Sequence, residues 1–171
     1  ITATNIDLNG TAYTSSNSAI TFVGSVDLDS GAAISISSGA GVGDIGFSAT
    51  VDALAAGVET LSITAGTGSL SIAGDVGATN QPGSLTVVSA AQSDLANVFT
   101  TGSQSYTSTN IDLNGATYIS SVSGSIDFTG AVDLDSAGAI AVTTAGAAAD
   151  DISFSSTVDD TGSNSDLSIN A

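Results

Sequence analysis

Two nested repeats run through this chain, and a sequence that repeats on both a long and a short period has few ways to fold. The segment Thr4 to Gly10 (TNIDLNG) recurs at Thr109 to Gly115, 105 residues on. Val26 to Ser30 (VDLDS) returns at Val132 to Ser136, and Asp44 to Ser48 (DIGFS) as DISFS at Asp151 to Ser155. Those offsets are 106 and 107, so single residues are gained at turns. Inside the long unit, an aliphatic-x-Phe/Ile-x-x-x-Val pattern begins at Ile20, Ile45 and Leu70, 25 residues apart each time. It restarts at Ile126 and Ile152, 26 apart. A second series, Ile34, Leu61, Leu85, Ile111, Ile140 and Leu167, steps by 24 to 29. A period of roughly 20 to 50 residues marks a solenoid, whose coils bury their apolar faces only against one another.

The local pattern says what each coil is made of. Ile6-Asp7-Leu8, Val26-Asp27-Leu28, Ile34-Ser35-Ile36 and Leu61-Ser62-Ile63 alternate apolar and polar and are bounded by Gly, Ser, Asn or Asp. Such runs read as short strands with one buried face. Interleaving the two series predicts three strands per turn: Ile20–Phe22, Val26–Leu28 and Ile34–Ile36, then Ile45–Phe47, Val51 and Leu61–Ile63, then Leu70–Ile72, Val76 and Leu85–Val87. A degenerate turn through Val98, Tyr106 and Ile111 follows. Ile126–Phe128, Val132–Leu134 and Ile140–Val142 come next, and the last turn is Ile152–Phe154, Val158 and Leu167–Ile169. Four turns then fill each 105-residue unit, the second copy starting near residue 106. Ser89 to Val98 is rich in Ala but does not predict a helix. The expected fold is all-β: a right-handed parallel β-solenoid, three short strands per coil of about 25 residues, about six coils, one continuous unit over 1–171. An antiparallel sandwich explains the alternation but not the recurrence.

Composition excludes whole classes of function. Lys, Arg, His, Cys, Met and Trp are absent, and 17 acidic residues give a net charge of −17. A chain without cations cannot neutralise phosphates, which argues against nucleic-acid partners and attraction to anionic membranes. It also has no imidazole base, no thiolate and no ordinary zinc site. Its many Ser and Thr hydroxyls lack a His or Lys to activate them. Mean hydropathy is +0.37, yet no window approaches the ~18 apolar residues of a membrane span.

The stretch Thr101 to Tyr106 (TGSQSY), the run Ile126 to Asp133 (IDFTGAVD) and the Leu-Ser-Ile turns at Leu61 and Leu70 resemble the repeats of large bacterial surface proteins of the filamentous-haemagglutinin type. The resemblance rests on pattern and composition over the whole chain. It implies a right-handed β-helix, secreted and held at the outer cell surface, serving as an adhesin stalk or fibre. It carries over no catalytic residues. The absence of Lys and Arg departs from that family, and these 171 residues include no secretion domain.

Acidic residues are the remaining candidates for chemistry. Asn5-x-Asp7-x-Asn9-Gly10 and its copy at Asn110, Asp112, Asn114 and Gly115 imitate the start of a helix-loop-helix calcium loop. Ser16 and Ser121 stand where that loop needs a bidentate Glu, so a strand edge followed by a turn is the better reading. Stacking is a stronger signal. Coil alignment puts Asp133 and Asp135 beside Asp159 and Asp160, and Asp27 and Asp29 beside Asp52. Like charges on neighbouring strands repel, and calcium shared between carboxylates would relieve that; screening of an exposed acidic stripe is the alternative. Glu59, Asp94 and Asp166 read as single loop charges, and Tyr13, Tyr106 and Tyr118 as packing anchors at corners. No other cofactor is implied. The expected function is a non-enzymatic extracellular scaffold, a stalk or filament cut from a longer array. Its partners would be neighbouring solenoid segments or identical subunits stacked end to end. The alternative is a glycan- or partner-binding adhesin module, with or without calcium.

Overall fold

A computed structural model describes residues 1–171 apart from Ser163. The strands run β1 (Thr2–Leu8), β2 (Ala12–Thr14), β3 (Ile20–Leu28), β4 (Ala33–Ser37), β5 (Ile45–Phe47) and β6 (Val51–Ala53). They continue as β7 (Thr60–Thr64), β8 (Ser69–Ile72), β9 (Ser84–Leu95), β10 (Val98–Thr100), β11 (Gln104–Leu113) and β12 (Thr117–Ser120). The last are β13 (Ile126–Leu134), β14 (Ile140–Thr143), β15 (Ile152–Phe154), β16 (Val158–Asp159) and β17 (Leu167–Asn170). Among the described residues there is no helix, and the Ala-rich stretch from Ser89 falls on β9 and β10. The strands stack in parallel as a β-solenoid of about 7 turns spaced by about 24 residues. At ~4.8 Å per rung this makes a rod about 34 Å long.

Inward side chains stack in register on three faces to build the core, and one column on each face shows the order. On face I, Ile20, Ile45, Leu70, Ser93, Ile111, Val132 and Val158 lie in register. Face II stacks Ile6, Val26, Val51, Val76, Val98, Tyr118, Val142 and Ile169. Face III stacks Ile34, Leu61, Leu85, Gln104, Ile126 and Ile152. The alignments of Ile20, Ile45 and Leu70 and of Val26, Val51 and Val76 are those the 25-residue period predicts. Aromatic rings stack along the same axis: Phe22 on Phe47 at 5.0 Å, and Tyr106 on Phe128 at 5.2 Å, which lies on Phe154 at 4.8 Å. Ile20, Ile152, Phe154 and Leu167 are only partly covered, at the outermost coils.

The structure corrects the phase of the second copy. Ile126 does not continue the Ile20 column; it stacks on Gln104 and Leu85 on face III. Val132 continues the Ile20 column instead of the Val26 column, and Val142 sits on face II. The cause is coil length. From Ile20 to Ile45 and from Ile45 to Leu70 the step is 25 residues, but from Ser93 to Ile111 it is only 18 and from Leu85 to Gln104 only 19. β9 and β11 each run from face III to face I without a loop, where the earlier coils carry residues 38–44 and 65–68 between those faces. The long repeat therefore spans four and two-thirds turns, not four.

The shortened coils also carry polar residues in the core. Gln104 occupies an aliphatic column, fully buried, and its Nε2 donates to the Ile119 carbonyl (2.9 Å), Thr100 Oγ1 (3.2 Å) and the Val98 carbonyl (3.3 Å). The Tyr106 hydroxyl donates to Gln104 Oε1 at 2.8 Å. Ser93, in the face I column, is paired with Ser108 at 2.6 Å. Both polar atoms of the Gln104 side chain are thus engaged, the condition for burying an amide at little cost. Burial, then the neighbouring Tyr118, pushes the Tyr106 hydroxyl pKa well up.

Candidate functional site

Residues two apart on a strand point the same way, so the outward Asp of each Ile-Asp-Leu or Val-Asp-Leu run meets its equivalent one rung away. Asp7, Asp27 and Asp52 are direct partners on face II. Asp94, Asp112, Asp133 and Asp159 are direct partners on face I. The predicted neighbours Asp27 and Asp52, and Asp133 and Asp159, are therefore brought together. Asp29 and Asp135 lie just past the ends of their strands, where their backbone N–H groups donate to the Leu8 and Leu113 carbonyls. Asp160 turns to its own loop and accepts from the Gly162 and Ser165 N–H groups at 3.2 and 2.9 Å.

Two bare carboxylates one rung apart repel by roughly 1 kcal/mol in water and by more where water is partly excluded. Neutral donors sit between them. Asn5 Nδ2 donates to Asp7 Oδ1 (3.0 Å) and to Asp27 Oδ2 (2.8 Å). Gln92 Nε2 does the same between Asp94 Oδ1 (3.0 Å) and Asp112 Oδ2. Both amides stand two residues before a ladder Asp, on its side of the strand. Asp52 accepts the Thr79 and Asn80 N–H groups at 2.8 and 3.2 Å. Asp133 accepts the Thr161 N–H at 3.1 Å and its hydroxyl.

Asp112, in the middle of the longer ladder, keeps the mark of its neighbours. Its pKa is raised, first by burial, then by the charge of Asp94, that of Asp133, a side-chain hydrogen bond with Asp94, and the charge of Asp135. Gln92, Asn110, Asp112, Asp133, Asp159 and Thr161 line an open groove of about 380 Å³. Among the described residues no group of three or more acidic side chains is placed to hold a metal ion. The ladders are rows of pairs rather than a cage.

Asp94 and Asp112 are ladder members that the repeat pattern alone leaves out. Asp94 reads as a loop charge only if a 25-residue coil is assumed; the 18-residue coil puts it on β9 beside Asp112. Glu59 is also no exposed loop charge: it is 1 % exposed, its Oε2 faces the Ala55 N–H at 3.5 Å and its carbonyl accepts the Gly83 N–H at 2.6 Å. Tyr13 and Tyr118 do anchor corners, accepting the Gly10 and Gly115 N–H groups at 2.8 and 3.2 Å. The calcium-loop mimic Asn5 to Gly10 is the end of strand β1 and its turn. No protein-family model, curated protein or solved structure matches the chain.

Proposed function

We propose that this chain is a non-enzymatic structural segment of an extracellular bacterial stalk or fibre, of the filamentous-haemagglutinin-like kind that its repeats resemble. The observation that carries the reading is the uninterrupted stack: one core cluster runs from Ile6 to Val142, with Ile152, Phe154 and Leu167 packed against it. A solenoid of this kind is a spacer whose length scales with the number of coils. Successive coils repeat the same in-register stacking, a geometry that further coils of the same kind can extend, so neighbouring solenoid segments are the proposed partners. The total absence of Lys and Arg leaves trypsin-like proteases no bond to cut, which suits the outside of a cell. Sedimentation and negative-stain images of the native assembly test the reading: elongated end-to-end species are expected, and a monodisperse monomer at all concentrations sinks the stacking.

The groove beside Asp112 favours a second reading, a glycan-binding adhesin module assisted by calcium, because amides, hydroxyls and carboxylates are the groups that recognise sugar hydroxyls. A glycan array separates the two. A stalk shows no selective ligand, and a module shows one that Asn110→Ala weakens.

A further inference from the structure

We infer that the 105-residue repeat turns its surface by one face per copy, so that a feature on one side of the rod is presented on the neighbouring side by the next copy. In the first copy Ile6, Val26 and Val51 stack on face II, and the equivalent Ile111, Val132 and Val158 stack on face I. Ile20 and Ile45 stack on face I, and their equivalents Ile126 and Ile152 on face III. Tyr13 and Ile36 pair on face III, and their equivalents Tyr118 and Val142 on face II. All three correspondences step by one face in the same sense. Within each copy the contacts are kept; only their place around the axis changes.

Corners travel with the sequence. Gly24 (φ 130°) makes the bend from face I to face II, and Gly130 (φ 138°) makes the bend from face III to face I. Each lies against the backbone carbonyl oxygen of an equivalent residue, Ala3 or Ser108. The rod thus uses one local recipe at different corners, which works because its three faces are built alike.

The consequence concerns display. The acidic ladder Asp7–Asp27–Asp52 faces one way and its copy Asp112–Asp133–Asp159 another. In an array of this repeat the ladder returns to its first face only after three copies, which is 14 coils or about 67 Å at ~4.8 Å per coil. A flat partner laid along such a rod meets the ladder once in that distance, whereas a small partner finds one from every side. Rods lying side by side through one face would bring their ladders together only once in the same distance. This goes beyond the stalk reading and does not depend on it.

The chain has no cysteine, so pairs of introduced cysteines report register cleanly. Thr86→Cys with Ser105→Cys, and Ser105→Cys with Asp127→Cys, join direct cross-strand partners and are expected to form disulfides under mild oxidation. Thr86→Cys with Asp112→Cys are neighbours only if the copy spans four whole turns, and are expected to stay reduced. Oxidation of the last pair in place of the first two overturns the inference. Nuclear Overhauser contacts in the unmodified chain probe the same register without substitution. Backbone contacts from Ser105 to both Thr86 and Asp127 support the rotation, and contacts from Thr86 to Asp112 refute it. Neither readout depends on whether the protein forms a fibre.

Discussion

Replacing Gly130 by Ala tests how the rod turns its corners. A Cβ at this position lies 1.9 Å from the Ser108 carbonyl oxygen, 3.0 Å from its carbon and 3.3 Å from the Thr109 carbonyl oxygen. Ordinary contact needs more than 3 Å, so β11 and β13 must separate by over 1 Å at a strand spacing of about 4.8 Å. The strain falls on the register shift between Thr107 and Asn110, whose flanking pairs lose about two backbone hydrogen bonds. A φ of 138° in an L residue adds about 1–3 kcal/mol, and two lost bonds add about 1–3 more. The substitution should therefore cost about 4 kcal/mol, against a total of roughly 5–15 kcal/mol for a domain. Gly24→Ala is the control. Its Cβ meets the Ala3 carbonyl oxygen at 1.7 Å, a worse clash, but Ala3 lies on the outermost strand, which can peel away at a cost of about 1–3 kcal/mol. Urea unfolding followed by circular dichroism measures both. A Gly130→Ala protein within about 1 kcal/mol of the parent, or a Gly24→Ala protein less stable than it, refutes the account of the corner.

Phe128→Ala removes a fully buried ring that touches Tyr106, Tyr118 and Phe154 and should cost about 4 kcal/mol in the same assay; Phe154→Ala, partly covered with one stacking partner, should cost less than half as much. Gln104→Leu restores an aliphatic column yet removes the donor to the Val98 and Ile119 carbonyls and strands the buried Tyr106 hydroxyl, so it should destabilise by about 2 kcal/mol or more, and a stabilised variant would mean the network is dispensable. Asp112 has a folded pKa above its unfolded value, so its contribution favours the fold at low pH and is lost as pH rises through the folded pKa. Asp112→Asn, which keeps an acceptor for Gln92, should raise the melting temperature at pH 7 and narrow the gap between pH 4 and pH 7; an unchanged gap defeats the account of a carboxylate strained by burial and by its ladder neighbours. Melting in calcium and in sodium chloride at matched ionic strength should give equal temperatures if the ladders are only screened, while a higher value in calcium favours the cation-assisted module.

Most of the fold can be read from residues, because an inward position repeated every 25 residues has one physical meaning in a chain with no helical pattern. Ile20, Ile45 and Leu70, or Val26, Val51 and Val76, announce their columns directly. The reading fails where the columns stop looking alike. Ser93 and Gln104 hold aliphatic places, and no hydropathy pattern flags a Ser or a Gln as inward. Once those rungs are missed, a turn through Val98, Tyr106 and Ile111 looks degenerate instead of short, and the second copy slips by a face. The ladder partners Asp27 with Asp52 and Asp133 with Asp159 survive that slip because each pair lies within one copy. Asp94 with Asp112 spans the short coil and is lost with it. Glu59 is hidden for another reason: its surroundings in sequence, Ala55 to Val58, are those of an exposed loop, yet the loop's own Ala55 and the neighbouring coil at Gly83 bond to it.

How a chain with 17 acids and no cationic side chain stacks like charges at rung spacing follows from where its neutral donors stand. Salt bridges between side chains are closed to it, and screening acts weakly on a carboxylate that is partly buried. What remains is the hydrogen bond to the ionised form, which holds a carboxylate in place without cancelling its charge. Asn5 and Gln92 each span two rungs, and turn N–H groups serve Asp44, Asp52, Asp133 and Asp150. The abundance of Asn, Ser, Thr and Gly is then more than filler for turns, since these residues supply amides, hydroxyls and free backbone N–H groups beside many of the acids. The compensation is incomplete at Asp112, where burial first, and then the charges of Asp94 and Asp133, raise the pKa. A rod built this way carries its acidic ladders on outward strand faces, so its sides repel one another in the directions that the turning ladders face.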